Sequence, residues 1–273
     1  MKQKQPGDAS SIPDSHREWK PEGISALITG ATSGIGRATA ELFAAHGVNL
    51  ILCGRRQDRL EELKKKLISQ AKVHILNFDV SDKKSVFKAI SSLPPSFSQI
   101  DILINNAGNA HGLDTIDQGD PEDWDAMLDI NVKGLLYVSK AIMPQMVERK
   151  KGHIINIGSI AGKEVYPKGN VYCASKFAVD AITQGMRIDL NPHGIRVGSV
   201  DPGAVETEFS EVRFKGDSER ASTVYNGFKP LIAEDIADII YFVVTRPYHV
   251  NIADLLVLPT AQANATVINK IPG

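Results

Sequence analysis

The sequence predicts an α/β protein with a Rossmann-type, doubly wound parallel sheet of about seven strands in a single domain. Short apolar runs alternate along the chain with longer segments of helical periodicity, which is typical of βαβ units. The apolar runs are continuous, as expected of strands that are buried on both faces. No internal repeat and no clear linker divides the chain after residue 23. Right-handed crossovers then give one open sheet, in which ligands bind outside the carboxyl ends of the strands.

Each predicted element has a signal of its own. Seven apolar runs predict strands, in the order ISALIT, VNLILC, VHILNF, IDILINNAG, HIINIG, IRVGSV and LLVLP. Six helices are predicted between them, over residues 37–47, 60–67, 81–92, 121–149, 172–190 and 233–244. Gly47 ends the first helix as a C-terminal glycine, and either Ser81 or Asp82 begins the third as its N-cap.

The composition argues against several kinds of partner. The 273 residues carry a formal net charge of −1 at pH 7, so no bulk attraction to nucleic acid or to an anionic membrane is expected. The sharpest basic run, RRQDRLEELKKK, offers the i,i+4 pairs Glu61–Lys65 and Glu62–Lys66 and is interpreted as a solvated helix face. No apolar run reaches the roughly 18 residues that a membrane span needs, and no histidine pair has a metal-binding spacing. We therefore predict a small-molecule substrate and no metal, nucleic acid or membrane.

Cysteine usage and the N-terminus bear on location. Cys53 and Cys173 are the two cysteines and lie far apart, which indicates no disulfide framework and fits a reducing compartment. Residues 1–23 are polar and lack the apolar segment of a secretory signal, so we expect a flexible arm before a domain over residues 24–273. A cytoplasmic location is the simplest interpretation.

A glycine-rich loop follows the first predicted strand and opens the first helix. The stretch TGATSGIG, residues 29–36, has the spacing Gly-x-x-x-Gly-x-Gly. Gly30 permits a tight turn, Gly34 lets the backbone approach a phosphate, and Gly36 lets the helix pack close to the sheet. Backbone amides at the helix N-terminus then receive a pyrophosphate. A turn without a ligand is the alternative, but the strand before it and the helix after it favour a dinucleotide site.

The end of the second strand indicates which dinucleotide binds. A site for NAD usually has a carboxylate there, which bonds the ribose 2′-hydroxyl, but this chain has Gly54, Arg55 and Arg56. Guanidinium groups bind a 2′-phosphate, so we predict NADP(H). The alternative is that one of these arginines is only a surface residue at the start of the next helix, which applies more readily to Arg56 than to Arg55. Asp79, after the third strand, is predicted to accept from the adenine amino group beside the Val80 backbone, or else to be a plain N-cap.

A hydroxyl, a phenol and an ammonium are grouped around the fifth strand and the helix after it. Tyr172 and Lys176 are four residues apart, hence neighbours on one helix face, and Ser159 follows the preceding strand. A free phenol has a pKa of about 10. The ammonium and the helix N-terminus are expected to lower that pKa and prepare Tyr172 for proton transfer with an alcohol oxygen, which Ser159 also bonds. The alternative is a Tyr and a Lys that are merely exposed on a helix, and the accompanying motifs argue against it.

Six motifs together resemble the short-chain dehydrogenase/reductase family. They are TGATSGIG, NNAG, INVKG, GSIAG, YCASK and DPGAVET, in the family's order and approximate spacing, over residues 25–259. The resemblance implies catalytic roles for Ser159, Tyr172 and Lys176. It also implies that Asn131 distorts its helix and holds a water in a proton relay to Lys176.

The motifs and the resemblance imply an extended cofactor site along the carboxyl ends of the strands. Its predicted residues are Gly30, Thr32, Ser33, Gly34, Ile35, Gly36, Arg55, Arg56, Asp79, Val80, Asn106, Ala107, Gly108, Tyr172, Lys176, Pro202, Gly203, Val205 and Thr207. In the resemblance, Pro202 and Gly203 form the turn under the nicotinamide and Thr207 contacts its carboxamide. The resemblance also implies a homotetramer, through pairing of the long helices 121–149 and 172–190.

The segment near residues 205–230 bears on the substrate. It is longer and more polar than a helix connection needs, and we expect it to close over the site as a lid. Its stretch EFSEVRFKGD and the tail LVLPTAQA resemble NADP-dependent 3-hydroxy acid dehydrogenases, which act on serine, L-allo-threonine and related 3-hydroxy acids. Arg213 is then a candidate partner for a substrate carboxylate. The alternative is a solvated Arg213 paired with Glu208 or Glu211.

We therefore expect an NADP-dependent oxidoreductase that acts on a secondary alcohol/ketone pair, a 3-hydroxy acid and its 3-oxo acid. Two alternatives stay open. One is a carbonyl reductase of another ketone class, such as a 3-oxoacyl thioester, a sugar or a steroid. The other is a non-catalytic nucleotide-sensing protein on the same fold, although such proteins usually lack the Tyr or the Lys.

Overall fold

Parallel strands form the centre of the protein, whose structure is a computed structural model that describes residues 21–217, 219 and 223–271. In chain order the strands are β1 (Ser25–Thr29), β2 (Asn49–Gly54), β3 (Val73–Asn77), β4 (Ile102–Asn105), β5 (His153–Ile157), β6 (Arg196–Pro202), β7 (Val205–Glu206), β8 (Leu231–Ile232) and β9 (Asp254–Val257). Seven of them form one sheet in the order β3-β2-β1-β4-β5-β6-β9, with every pairing parallel. The predicted fold class is confirmed. Residues 1–20 of the predicted arm lie outside the described residues.

Helices cover both faces of this sheet. In chain order they are α1 (Gly34–Ala45), α2 (Gln57–Leu67), α3 (Lys83–Ser91), α4 (Pro121–Leu128), α5 (Leu135–Arg149), α6 (Asn170–Leu190), α7 (Phe209–Arg213) and α8 (Ala233–Val244). The predicted helix 121–149 is present, but a π-helical segment, Asp129–Gly134, separates α4 from α5. Apolar side chains of α1, α2 and α8 pack on one face, and those of α3, α5 and α6 on the other.

The alternation of side chains along β1 explains why the strands are continuously apolar. Leu27 and Ile28 are both fully buried and belong to the clusters on opposite faces. Ile28 shares its cluster with Phe43 of α1, and Leu27 shares its cluster with Val138 of α5. Each such side chain contributes about 1.5–3 kcal/mol when it leaves water, so a polar residue is disfavoured on either face.

The start of α3 decides between two predicted caps. Asp82 is the N-cap, since its carboxylate accepts from Lys84 N at 2.9 Å and from Ser85 N at 3.2 Å. Asp79 is not a helix cap. It accepts from Ser81 N at 2.9 Å, in the turn before the helix.

The sheet order reverses between β1 and β4, which are neighbours in space but not in sequence. A crevice opens at such a point, outside the carboxyl ends of the strands. The segment 205–230, predicted to be a lid, contains β7 and α7, and β7 pairs with β8, which directly follows the segment. None of these three small elements was predicted. The predicted site residues lie on the loops around this crevice.

Candidate active site

The glycine-rich loop joins the carboxyl end of β1 to α1. Gly30 (φ +66°) and Gly34 (φ +49°) have left-handed backbone conformations that strain other residues. Gly36 lies against the Gly30 carbonyl, because a Cβ on Gly36 would come within 2.4 Å of that oxygen. The N-terminus of α1 is thereby held at the end of the sheet, where its backbone amides can receive an anion.

The NNAG loop after β4 is bonded to the glycine-rich loop. Thr29 Oγ1 accepts from Asn106 N at 3.0 Å and from Ala107 N at 2.9 Å. The Asn106 side-chain amide donates to the carbonyl oxygens of Thr29, at 2.9 Å, and Gly30, at 3.3 Å. The side chain of Asn106 therefore positions the loop that was predicted to hold a pyrophosphate.

The two arginines at the end of β2 take different positions. Arg56 donates through Nε and Nη2 to Thr32 Oγ1, at 3.1 and 2.9 Å, and through Nη2 to Ser33 Oγ at 2.7 Å. Arg55 is more exposed and forms an ion pair with Asp79 at 3.4 Å. Arg56 is the N-cap residue of α2, as the alternative interpretation has it, and its guanidinium also lies against the glycine-rich loop.

Three further predicted positions surround this end of the site. Burial raises the pKa of the Asp79 carboxyl, but hydrogen bonds from Ser81 and the charge of Arg55 outweigh it and hold that pKa below its ordinary value. Val80 packs against the π-helical segment, and the side chain of Ile35 packs into the core. The side chains of Val80 and Ile35 are therefore used in packing within the protein.

Tyr172, Lys176 and Ser159 come together at the carboxyl end of β5, where each side chain is less than a tenth exposed. Lys176 Nζ donates to the carbonyl oxygen of Ile157 at 2.9 Å. The Ser159 hydroxyl is hydrogen-bonded to the Tyr172 phenol and accepts from Ala161 N at 3.1 Å. The three predicted side chains thus share one buried site.

Asn131 lies in the π-helical segment and is buried beside them. Its Oδ1 accepts from Asn109 N at 2.8 Å, and its Nδ2 donates to Asn109 O at 2.8 Å and to Ser175 Oγ at 3.0 Å. A Cβ on Gly108 would lie 3.2 Å from Asn131 Oδ1 and 3.6 Å from Lys176 Nζ. The helix is distorted where the family resemblance implies it, and π-helical turns often occur at functional sites.

The pKa values of this group correct one expectation. Burial raises the pKa of Tyr172 above its ordinary value, and the Ser159 hydrogen bond and the charge of Arg213 oppose it only in part. Burial also lowers the pKa of Lys176 to about 8, against the charge of Asp201. The expectation that Lys176 holds the phenol pKa below its usual range is wrong for the protein alone, because desolvation dominates. The phenol is therefore protonated at neutral pH.

Arg213, at the end of α7, faces this group. Its guanidinium carbon lies 5.5 Å from the ring centroids of both Tyr172 and Tyr166. Nη2 donates to the Tyr166 hydroxyl at 2.9 Å, and Nε donates to Gly112 O at 3.3 Å. The pocket beside it is also lined by His111, Trp124, Met127 and Lys168. A cation therefore lies next to the phenol at the wall of a cleft.

The last predicted positions lie at the end of β6 and in the segment after it, and they are Pro202, Gly203, Val205 and Thr207. Gly203 N donates to Val257 O at 2.8 Å, and a Cβ on Gly203 would come within 2.2 Å of Gln262 Oε1. Gln262, which was not predicted, fixes this turn. Thr207 lies against the glycine-rich loop, 3.3 Å from a Cβ placed on Gly34.

Sequence reasoning missed an ion-pair cluster at the edge of the site. Glu208 bonds Arg56 Nη1 at 2.9 Å and Arg59 Nη1 at 2.6 Å. The predicted alternative pairing of Glu208 with Arg213 is wrong. Arg59 follows Arg56 by three residues, so the sequence could indicate that the two lie on one basic helix face. It could not indicate their shared partner Glu208, which is 149 residues away from Arg59.

Neither a metal-binding cluster nor a membrane-spanning helix is present in the part of the chain that the structure describes. Among the described residues, no three or more His, Cys, Asp or Glu side chains form a group able to hold a metal ion. Within the same part of the chain, no helix combines the length and the apolar character that crossing a membrane requires.

Comparisons with known proteins agree with this geometry. Residues 25–218 match the family model described as short chain dehydrogenase. An NADP-dependent 3-hydroxy acid dehydrogenase of Schizosaccharomyces pombe is 46% identical over 252 residues, which cover 91% of this chain and 97% of the relative. Sulfoacetaldehyde reductase 2 of Chromohalobacter salexigens is 45% identical over 238 residues, which cover 87% and 94%. The closed form of a serine dehydrogenase complexed with NADP+ matches with a TM-score of 0.86 and 42% identity over 89% of this chain and 98% of that one. The chain therefore belongs to the short-chain dehydrogenase family.

Proposed function

We propose that this protein is an NADP(H)-dependent oxidoreductase that interconverts a 3-hydroxy acid and its 3-oxo acid. One observation carries the proposal. Tyr172, Ser159 and Lys176 meet at the carboxyl end of the sheet, and the guanidinium of Arg213 lies 5.5 Å from the Tyr172 ring. A proton donor and a group that binds an anion are thus side by side.

The residues around the crevice fit NADP(H). Arg55 and Arg56 place positive charge where a carboxylate would repel a 2′-phosphate. The left-handed Gly30 and Gly34 allow backbone amides to approach a pyrophosphate, and Gly108 keeps space open beside the buried lysine. The S. pombe relative is named for NADP, and the matching serine dehydrogenase is complexed with it. When bound, the nicotinamide supplies or accepts the hydride.

Tyr172 donates the proton during carbonyl reduction. Its raised pKa keeps the phenol protonated at neutral pH, which is the form that a developing alkoxide needs. The Ser159 hydroxyl, already bonded to the phenol, is placed to bond the same substrate oxygen and stabilise its charge. Alcohol oxidation needs the phenolate, so we expect that direction to be favoured by higher pH.

Lys176 and Asn131 support the proton donor. With a pKa of about 8, Lys176 can release and take up a proton near neutrality. Asn131 holds both backbone groups of Asn109 and so fixes the loop that faces the lysine.

Arg213 binds the acid group of the substrate. Its two hydrogen bonds, to Tyr166 and Gly112, use two of the five N–H groups of a guanidinium, so others are free for a carboxylate. In a 3-hydroxy acid, one carbon separates the reacting carbon from the carboxylate. Sulfoacetaldehyde has the same spacing between its carbonyl carbon and its sulfonate, so both relatives are named for substrates of one shape.

A cofactor and substrate panel tests the function. The protein is mixed with NADP+ or NAD+ and with L-serine, L-allo-threonine, 3-hydroxyisobutyrate, 2-hydroxyethanesulfonate and neutral secondary alcohols, and absorbance of the reduced cofactor is followed. We expect turnover with NADP+ and a hydroxylated acid. Turnover with NAD+ alone, or with neutral alcohols alone, would contradict the proposal.

Substitution of Arg213 tests the carboxylate contact. We expect Arg213→Ala to lower kcat/KM for the acid on the order of 10–100-fold, the value of a charge-assisted hydrogen bond, with a smaller loss on a neutral alcohol. Arg213→Lys keeps the charge but loses the fork and should lie between. Lys168→Ala, in the same pocket, is the matched control. Equal losses on acid and neutral alcohol would eliminate the contact.

The proposal also covers assembly, location and the lid. Exposed apolar side chains on α5 and α6, including Leu136, Phe177 and Ile188, support pairing of these helices in a homotetramer. Light scattering coupled to size-exclusion chromatography measures the mass directly. Two buried cysteines with no disulfide support a cytoplasmic location. The contact of Thr207 with the glycine-rich loop supports the role of residues 205–230 as a lid.

A further inference from the structure

Glu208 lies between two guanidinium groups at the edge of the candidate cofactor site. Its Oε2 is 2.9 Å from Arg56 Nη1, and its Oε1 is 2.6 Å from Arg59 Nη1. Each carboxylate oxygen therefore engages a different arginine. This cluster joins the end of β2 and the start of α2 to the segment that follows β7.

The hydrogen-bonding capacity of Arg56 is nearly exhausted in this arrangement. A guanidinium has five N–H groups. Nε and Nη2 of Arg56 donate to Thr32 Oγ1, Nη2 also donates to Ser33 Oγ, and Nη1 donates to Glu208. Four of the five are used, so Arg56 cannot form a bidentate contact with a phosphate unless one of these partners leaves.

Glu208 is the partner that an anion would displace. Thr32 and Ser33 are neutral donors and acceptors, which can bond a phosphate as well as an arginine. The Glu208 carboxylate carries the same sign of charge as a phosphate, and two anions on one guanidinium repel each other. The carboxylate side chain is 40% exposed, so it can turn into water once it is released.

We propose that Glu208 is a cofactor-selectivity residue whose carboxylate occupies Arg56 and Arg59 in place of a ribose 2′-phosphate. This inference rests on the proposed function. A cofactor with a 2′-phosphate binds both arginines only by displacing Glu208, whereas a cofactor without it leaves the pair intact. Glu208 thus weakens the preference for NADP(H) over NAD(H) below what the two arginines alone would give.

Charge removal at Glu208 tests the inference by binding, without turnover. Dissociation constants for NADPH and NADH are measured by cofactor fluorescence, and the constant for 2′,5′-ADP by calorimetry. We expect Glu208→Gln and Glu208→Ala to bind NADPH and 2′,5′-ADP about threefold to tenfold more tightly, since exposed ion pairs are weak. NADH binding should stay within about twofold. Thermal unfolding confirms that both variants fold.

Glu211→Gln is the matched control, because it removes the same charge from α7, where Glu211 forms no ion pair among the described residues. If the native protein prefers NADPH but both Glu208 variants bind NADPH no more tightly than the native protein does, the inference about Glu208 is overturned and the proposed cofactor stands. A native protein that binds NADH as tightly as NADPH would overturn the proposed cofactor and the inference with it. A gain in Glu211→Gln equal to that in Glu208→Gln would also overturn the inference, since the effect would then be one of net charge.

Discussion

The ammonium of Lys176 and the phenol of Tyr172 are residues whose chemistry is set by burial. Both side chains are less than a tenth exposed, and desolvation penalises the charged form of each. The pKa of the lysine therefore falls to about 8 while that of the tyrosine rises. The i,i+4 spacing in the sequence predicted that the two would be neighbours. It could not predict their depth, and so the direction of the tyrosine shift was missed.

A substitution at Lys176 should separate stability from activity. Below pH 8 the buried ammonium is charged in both the folded and the unfolded protein, so its burial cost is fully present. Between pH 8 and the ordinary value of 10.5 the unfolded chain binds more protons, and the stability of the native protein rises with pH. We expect Lys176→Met to raise the free energy of unfolding at pH 7 by about 1–3 kcal/mol. In this variant the free energy of unfolding should no longer increase between pH 8 and 10.5, and most turnover should be lost.

Urea unfolding at pH 7 and pH 9.5 measures both quantities for the Lys176 variant. Lys140→Met, on an exposed position of α5, is the control. The same pH dependence in native protein and Lys176→Met would show that Lys176 is not the group responsible.

Single residues also show where local sequence stops being informative. Arg55 and Arg56 were both predicted to face a phosphate, but only Arg56 lies on the glycine-rich loop, with Arg55 paired to Asp79. Their roles depend on Thr32 and Glu208, which come from distant segments. The positive charge at the end of β2 was therefore predictable, but which arginine contacts the glycine-rich loop was not.

At the scale of elements, the helix predicted over 121–149 illustrates the same limit. Its apolar periodicity continues through the π-helical segment, so the pattern indicates one helix. The distortion arises where Asn131 bonds Asn109 and where a Cβ on Gly134 would come within 2.7 Å of Val80. Only the motif INVKG, through its resemblance, indicated it.

Charge pairs on α2 give a second correction at this scale. The predicted i,i+4 pairs within that helix are wrong. Glu62 pairs with Arg37 at 3.0 Å, and Lys66 pairs with Glu41 at 2.8 Å. Both partners lie on α1, so the charged face of α2 turns toward a neighbouring helix as well as toward solvent.

Gly185 offers a prediction about the stability of α6. It lies inside the helix with an ordinary φ, and a Cβ there would meet nothing within 4 Å. Since glycine in a helix costs about 0.5–1 kcal/mol relative to alanine, Gly185→Ala should raise the free energy of unfolding by that amount. Gly36→Ala, whose Cβ would lie 2.4 Å from the Gly30 carbonyl oxygen, should lower it instead. Thermal unfolding of both compares the two signs. A loss in Gly185→Ala would indicate that another molecule packs on this face of α6.

The architecture of the whole molecule was predictable where it depends on the central sheet. Continuous apolar runs require burial on both faces, and alternating helices require parallel strands, so the seven-stranded sheet followed from the sequence. The order of the strands then brings the predicted loops to one edge. The two-residue strands β7 and β8 pair across 24 intervening residues of one segment, and no local pattern marks so short a pair.

Stability of the whole protein in acid should depend on His153, which lies at the amino end of β5, away from the candidate active site. Its ring is 2% exposed, its nitrogens have no hydrogen-bond partner within the described part of the chain, and burial together with Arg196 lowers its pKa well below 6.5. As pH falls through 6.5, His153 binds a proton in the unfolded chain but stays neutral in the folded protein. The free energy of unfolding therefore falls, by at most about 1.4 kcal/mol per pH unit. His153→Leu should flatten this decline between pH 7 and 5 in urea unfolding, and His193→Leu, in the turn before β6, should not. Parallel declines in native protein and His153→Leu would contradict the assignment.

The central claim is that the Tyr172 phenol exchanges the proton with the substrate oxygen, and single-turnover and steady-state kinetics of Tyr172→Phe test it most directly. We expect a kcat lower by about 10²–10⁴-fold, the usual contribution of a general acid, with a much smaller effect on NADPH binding. Tyr166→Phe, which removes a neighbouring hydroxyl that bonds Arg213, should keep most of the turnover. If Tyr172→Phe turned over its best substrate as fast as the native protein, the proton donor would have to be another group and the account would be wrong.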